Sequence, residues 1–238
     1  MGSKNRISGD ILPIILKDRK EGQYYVEPFC GGLGTMDKVT GNRIASDKNK
    51  YLIAMWRGLQ ADEPRSMKIS KDLYSMARTE FNNGTNIEFT NFEIGWIGFM
   101  GSFNGRFFDG GYSGKTLTRD YVDEQIRNTM KQADKLDGIN FTSESYDDLL
   151  IPPNSIIYCD PPYENTKKYS TSKDFSHPHF WQWCRDMSND GHEVFISEYN
   201  APDDFECVWE TELKSFMKPS RAEVKTEKLF KYNGKIKL

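Results

Sequence analysis

The sequence predicts an α/β fold, a mostly parallel sheet with helices packed on it, interrupted by a mainly helical insert. Three observations carry this expectation. Short apolar runs of strand length recur, and three of them end directly on an acidic residue. Stretches with helical spacing of apolar residues alternate with these runs. Between residues 57 and 134 the pattern changes to helix-like stretches around a turn-rich aromatic segment, so residues 1–56 and 135–238 read as one core and 57–134 as an insert within it.

In chain order, the apolar positions of Ile7 to Leu16 recur close to every third or fourth residue, which predicts a first helix packed across the core, kinked at Pro13. Tyr24-Tyr25-Val26 is a β-prone run leading into Glu27-Pro28, and Arg43-Ile44-Ala45-Ser46 is a second that ends at Asp47. In the insert, Lys71 to Phe81 and Asp120 to Asp134 read as helices. Between them lies Gly101 to Tyr112, whose Asn104-Gly105 pair between aromatic residues predicts a β-hairpin. Ile156-Ile157-Tyr158-Cys159 is a third strand run, ending at Asp160-Pro161-Pro162. His179 to Met187 reads as a helix before a fourth run, Glu193 to Ser197. Trp56, Trp96, Trp181 and Trp183 sit in helix-like contexts and are expected in the core. From Glu212 to the end there are eight Lys or Arg against three acids; this tail reads either as a phosphate-binding surface or as a solvated, frayed terminus.

Composition narrows the function classes. Among 238 residues no stretch approaches the roughly 18 apolar residues of a membrane span, and charges interrupt the apolar start, so a cytoplasmic location is expected. Cys30, Cys159, Cys184 and Cys207 form no CxxC pair, and His177, His179 and His192 complete no common zinc spacing. Neither a metal site nor disulfides are expected. The net charge of −3 gives no general attraction for phosphates, so any nucleic-acid contact must come from local basic groups. Aromatic residues make up 13% of the chain, more than the core obviously needs, which leaves rings for working surfaces.

Two constellations carry chemistry, both at strand ends, where parallel sheets bind ligands. The first is Asp160-Pro161-Pro162-Tyr163; at average residue usage this tetrapeptide occurs by chance in roughly one chain in a thousand of this length. The Asp160 carboxylate and the Pro161 carbonyl offer two acceptors side by side, stiffened by the double proline. Such a pair can hold both hydrogens of an exocyclic amine and favour its pyramidal, attacking form. Tyr163 offers a ring on which a base can stack. The plainer alternative is a proline-terminated strand whose aspartate caps the next element. The second constellation is Val26-Glu27-Pro28-Phe29-Cys30-Gly31-Gly32-Leu33-Gly34, a strand running into a glycine-rich turn that lets backbone approach a nucleotide-like ligand. Asp37 stands where GxGxxG needs its third glycine, which argues against a dinucleotide site. Asp47 is placed to accept hydrogen bonds from ribose hydroxyls, or, more plainly, to cap a helix before Lys48.

With these residues in view, the sequence resembles the Dam-type family of DNA adenine methyltransferases, including its phage and mobile-element branch, over nearly the whole chain. Gly2 to Arg6 with Ile11-Leu12-Pro13 resembles the family's amino-terminal cofactor motif and Tyr25 to Gly32 its glycine-rich motif. Ser46 to Asn49 resembles its ribose-binding turn and Asp160 to Tyr163 its catalytic motif, all in the family's order. The resemblance implies a Rossmann-like S-adenosylmethionine-dependent methyltransferase core whose insert reads double-stranded DNA. It implies that Asp160, Pro161, Pro162 and Tyr163 form the catalytic motif. Lys4, Glu27, Pro28, Phe29, Gly31, Gly32, Asp47 and Asp160 would contact the cofactor, with Ser145 and Tyr146 at its adenine. Phe103, Asn104, Arg106, Phe107 and Tyr112 are the insert's candidates for DNA contact, though Phe103, Phe107 and Phe108 read equally well as a minicore. A cytosine exocyclic amine or an RNA base remains an alternative substrate for the same acceptors. A nucleotide-binding oxidoreductase would leave Asp160 to Tyr163 unexplained, and a DNA-binding module without catalysis would not need them.

Overall fold

The computed structural model describes residues 4–164, 174–215 and 223–234. Gly2 and Ser3 of the amino-terminal motif and much of the basic tail lie outside them. The core begins with α1 (Ser8–Ile15), which buries Ile11, Leu12 and Ile15 and runs as one element through Pro13. It continues with β1 (Tyr25–Glu27), β2 (Arg43–Ser46) and α2 (Lys50–Gln60). The helices α3 (Lys71–Asn83), α4 (Asn91–Gly101) and α5 (Tyr121–Ala133) come next. The chain then returns through β3 (Ile139–Thr142), β4 (Ile156–Cys159), α6 (His177–Asn189) and β5 (Glu193–Glu198). It ends in β6 (Phe205–Ser215) and β7 (Glu223–Tyr232).

The seven strands form one Rossmann-like sheet in the order β3-β2-β1-β4-β5-β7-β6. β1 to β5 are parallel, and β7 inserts antiparallel between β5 and β6. The chain steps outward from β1 to β3 and then returns to place β4 on the other side of β1. The sheet therefore has its topological switch point between β1 and β4, where ligands bind outside the carboxyl ends.

Alternation along the strands builds two cores. Tyr25, Ala45, Ile156, Tyr158, Phe195 and Leu229 join one hydrophobic cluster with α1 and the insert helices. Their neighbours Val26, Ile44, Ile157, Cys159, Ile196 and Phe230 join a second beneath Phe180, Trp181 and Cys184 of α6. All four tryptophans expected inside are buried.

Helix α2 crosses the expected core–insert boundary at residues 56 and 57, and the insert packs into the same cluster as one face of the sheet. The contact is close: a side chain at Gly95 of α4 would place its Cβ 2.1 Å from the Tyr51 carbonyl oxygen of α2. The expected hairpin at Gly101 to Tyr112 needs correction. Asn104 and Gly105 do adopt the two positive φ values of a tight hairpin turn, 54° and 62°. Extended strands do not follow, because Phe108 also turns at φ 53° and carries its own ring and that of Phe107 inward against Tyr74, Phe81 and Phe99. Among the described residues the segment is closed by one bridge pair, Ser102 with Tyr112. The carboxyl-terminal stretch also departs from expectation: β7 is an ordered strand inside the sheet, with Leu229 and Phe230 buried on opposite faces.

Candidate active site

The switch point opens into a cleft of about 860 Å³. β1 delivers Glu27 and β4 delivers Asp160 to its floor, because each polar residue stands where a buried strand stops. The turn after β1 brings Phe29, Gly31 and Gly32 to one wall. Asp47 follows β2, Ser145 and Tyr146 follow β3, and Pro161, Pro162 and Tyr163 complete the β4 end. Lys4, Glu27, Pro28, Phe29, Gly31, Gly32, Asp47, Ser145, Tyr146 and Asp160 to Tyr163 all line this one cleft.

Asp47 bridges two loops. One carboxylate oxygen accepts from the Gly31 N–H at 3.2 Å and the other from the Asn49 N–H at 2.9 Å. The helix cap is Asn49, whose side chain accepts from the N–H groups of Tyr51 and Leu52, so Asp47 is not the cap of α2. Burial raises the Asp47 pKa, and its two backbone donors pull it back. Gly31 has a φ of +44°, and a Cβ built there meets nothing within 4 Å, so the turn presents bare backbone to the cleft.

Glu27 is 3% exposed. Its Oε1 accepts from the Tyr25 hydroxyl at 2.8 Å and the Thr35 hydroxyl at 2.6 Å. Burial pushes its pKa to about 8, against the pull of those two donors. Part of the wall is aromatic. The Phe29 and Tyr146 rings lie 5.4 Å apart at 32°, with Phe175 and Phe180 against both. The Tyr146 hydroxyl shares a 2.9 Å hydrogen bond with His179 Nδ1, and burial raises its pKa to about 12.

At the end of β4, the Lys4 ammonium lies 3.1 Å from Asp160 Oδ1 and 3.2 Å from Glu227 Oε2, and donates to the Tyr163 hydroxyl at 2.6 Å. That hydroxyl donates in turn to Glu227 Oε2 at 2.8 Å. Burial raises the Asp160 pKa; Lys4 opposes this and the Glu227 charge adds to it. For Lys4, burial disfavours the charge, but the two carboxylates outweigh it and raise the pKa. His177 Nε2 lies 2.9 Å from the Pro162 carbonyl, and Glu198, 2% exposed, accepts from the Glu164 N–H at 3.1 Å. These contacts fix the chain as it leaves the motif.

The insert candidates divide. Arg106 and Phe107 reach the cleft together with Gly105 and Asp109. Phe103 and Asn104 are exposed, whereas the Tyr112 hydroxyl donates to the Ile69 carbonyl at 2.7 Å. Phe107 requires correction as a DNA-contact candidate. It is 9% exposed, and its ring stacks on Tyr51 and Phe99, so it belongs to the minicore.

Several site residues escaped the sequence reading. Thr35 and Tyr25 were hidden because their roles depend on Glu27 being buried. Phe175, His177 and His179 come from the start of α6 and the residues just before it. Glu227 lies 223 residues from Lys4 along the chain.

Comparison with known proteins places this geometry in a family. Among curated proteins none matches the chain. Among solved structures, SMU.472 complexed with SAH is 12% identical with a TM-score of 0.37. The match covers 98% of this chain and 53% of that one, so the chain spans about half the length of that protein. The family match is far broader in meaning, for it takes in the glycine-rich turn, the insert and the β4 motif in one run over residues 1–219: the chain belongs to the D12 class N6 adenine-specific DNA methyltransferases.

Proposed function

We propose that this chain transfers a methyl group from S-adenosylmethionine to the exocyclic amine of an adenine in double-stranded DNA, the adenine being turned out of the duplex into the cleft. One observation carries the reading: a glycine-rich turn with its carboxylate, an aromatic wall and the Asp160-Pro161-Pro162-Tyr163 motif share one cleft at the switch point, with Arg106 of the insert on its rim. The residues suit the cofactor. Asp47 retains lone pairs for ribose hydroxyls, the bare turn at Gly31 admits close approach, and Tyr146, packed on Phe29, offers an aromatic face for a purine ring. When bound, S-adenosylmethionine supplies an electrophilic methyl group on a sulfonium.

The chain's own residues then prepare the nucleophile. An adenine amine is a weak nucleophile because its lone pair is delocalised into the ring. Asp160 accepts one amine hydrogen and the Pro161 carbonyl the other, which favours the pyramidal nitrogen. The carboxylate would also stabilise the positive charge that develops on the nitrogen as it is methylated, before one amine proton is lost to solvent. The ring of Tyr163 stacks on the base, an interaction worth about 1–3 kcal/mol. Phe103, Asn104 and Arg106 are the insert's DNA contacts in this reading, and residues 57–134 are its target-recognition part. Within the family we assign the chain to the phage and mobile-element branch, acting in the cytoplasm.

The test is transfer of labelled methyl groups from S-adenosylmethionine to duplex DNA, followed by identification of the methylated base. N6-methyladenine supports the proposal. N4-methylcytosine, or transfer to RNA alone, overturns the substrate assignment.

A further inference from the structure

Glu227 stands outside every motif of the sequence, yet it reaches the centre of the site. In β7, Leu229 pairs with Ser197 and Lys228 with Glu198 of β5, so the next residues of the antiparallel strand pass the carboxyl end of β5. Alternation puts Glu227 on the same face as the buried Leu229, which is the α1 face from which Lys4 descends. Its carboxylate is 13% exposed, and one oxygen, Oε2, accepts from both the Lys4 ammonium and the Tyr163 hydroxyl. The same ammonium lies over the Tyr163 ring, 4.6 Å from its centre, and contacts Asp160.

This arrangement poses a competition. Asp160 must offer lone pairs to an incoming amine, while an ammonium held by Asp160 alone would occupy them. A second carboxylate shares the ammonium and also anchors the hydroxyl that fixes the ring. We propose that Glu227 is a positioning residue for the methyl-transfer reaction, dividing the Lys4 charge with Asp160 and orienting Tyr163 so that the motif meets the target amine. This rests on the methyltransferase reading above.

Other ionisable groups face the cluster. Glu27 comes from β1, Tyr158 from β4, Glu198 and Tyr199 from the end of β5, and Lys225 from β7, its ammonium 5.3 Å from the Tyr199 ring centre. None of these bridges Lys4 to Tyr163. Removing the Glu227 charge makes Asp160 easier to ionise and Lys4 easier to deprotonate, so the acidic limb of the kcat profile, set by Asp160, moves to lower pH.

The experiment compares wild type, Glu227→Gln and Glu227→Asp, with folding checked by circular dichroism. Glu227→Gln is expected to lower kcat on the order of tenfold with KM for both substrates within about threefold, as misplaced reacting groups do. Its acidic limb should move to lower pH. Glu227→Asp restores the charge and should return the limb towards its wild-type position even where kcat stays reduced. Lys4 titration by NMR at Cε supplies a readout independent of turnover, with a lower pKa expected in Glu227→Gln. An unshifted pH profile in the presence of a kcat loss would reduce Glu227 to a structural role, and unchanged kcat would overturn the proposal. If wild type methylates no adenine, the functional reading fails by itself, and an unchanged Lys4 titration then overturns the division of charge separately.

Discussion

In the proposed reading Asp47 holds the cofactor ribose, so its replacement should separate cofactor binding from chemistry. Its carboxylate makes two intramolecular hydrogen bonds, from Gly31 and Asn49. Alanine removes these in the free and the bound protein alike, so most of their loss cancels in an affinity. The charge-assisted bond to a ribose hydroxyl does not cancel, and it is worth roughly 1.5–3 kcal/mol. Asp47→Ala should therefore weaken binding by about 2 kcal/mol, some thirtyfold in Kd. Asp47→Asn keeps a neutral acceptor and should lose about 1 kcal/mol, roughly fivefold. Calorimetry with S-adenosylmethionine and S-adenosylhomocysteine adds a control, since the ribose is common to both and the sulfonium is not. Equal losses for the two ligands support a ribose contact. A Kd within twofold of wild type in a folded Asp47→Ala protein, or a loss confined to the sulfonium ligand, would refute the reasoning.

Asp160→Asn should abolish methyl transfer while cofactor affinity stays within a few fold, because the side chain acts on the target amine in the transition state; near wild-type turnover would remove it from that role. Glu27 makes stability depend on pH. Its folded pKa of about 8 exceeds the ordinary 4.5, so its contribution is fully present below pH 4.5 and is lost as pH rises towards 8. Urea unfolding should accordingly show Glu27→Gln gaining stability relative to wild type between pH 5 and pH 8.5, by up to a few kcal/mol, and a constant difference would contradict the buried, protonated carboxyl. Arg106→Ala should weaken DNA binding. A phosphate contact predicts a loss shared by all sequences and a salt slope shallower by about one unit, whereas a base-edge contact predicts about 1–3 kcal/mol of lost discrimination at one position, read by titrations at several salt concentrations.

The strands nearest the site were the most legible. β1, β2, β4 and β5 are short runs buried on both faces, and the acidic residues Glu27, Asp47 and Asp160 at the ends of three of them mark the cleft. β7 was not legible, because Lys225, Glu227, Lys228 and Lys231 give a half-buried antiparallel strand the composition of a solvated tail. Helix α4 hid for the opposite reason. It is buried on every side and carries three glycines, so no apolar stripe stands out, and its surest sign is the capping box of Thr90 with Glu93. At the insert, the Asn104-Gly105 signal marked the turn but not the path of the chain beyond it, since the aromatic cluster claimed Phe107 and Phe108. Contacts such as Glu227 with Lys4 have no local signature at all.

The insert helps to build the cleft as well as to border it. Two successive carbonyls of the glycine-rich turn are held from its side: Gly31 accepts from the Trp56 indole at 3.0 Å and Gly32 from the Gln132 amide at 3.2 Å. Trp56 lies on α2, which crosses the core boundary, and Gln132 lies on α5. From the opposite side Asp47 accepts from the Gly31 N–H. The turn is thus suspended between β2 and the helices that carry the Arg106 segment, and one hydrophobic cluster runs unbroken from Ile11 through Trp96 to Phe108. Ordering a glycine-rich turn carries a high entropic cost, because glycine loses more conformational freedom than any other residue. Fixing its carbonyls from two helices lowers that cost before any ligand arrives. Without Gln132 the turn after β1 would lose one of these supports, and without the segment between α4 and α5 the cleft would lose Arg106 from its lining.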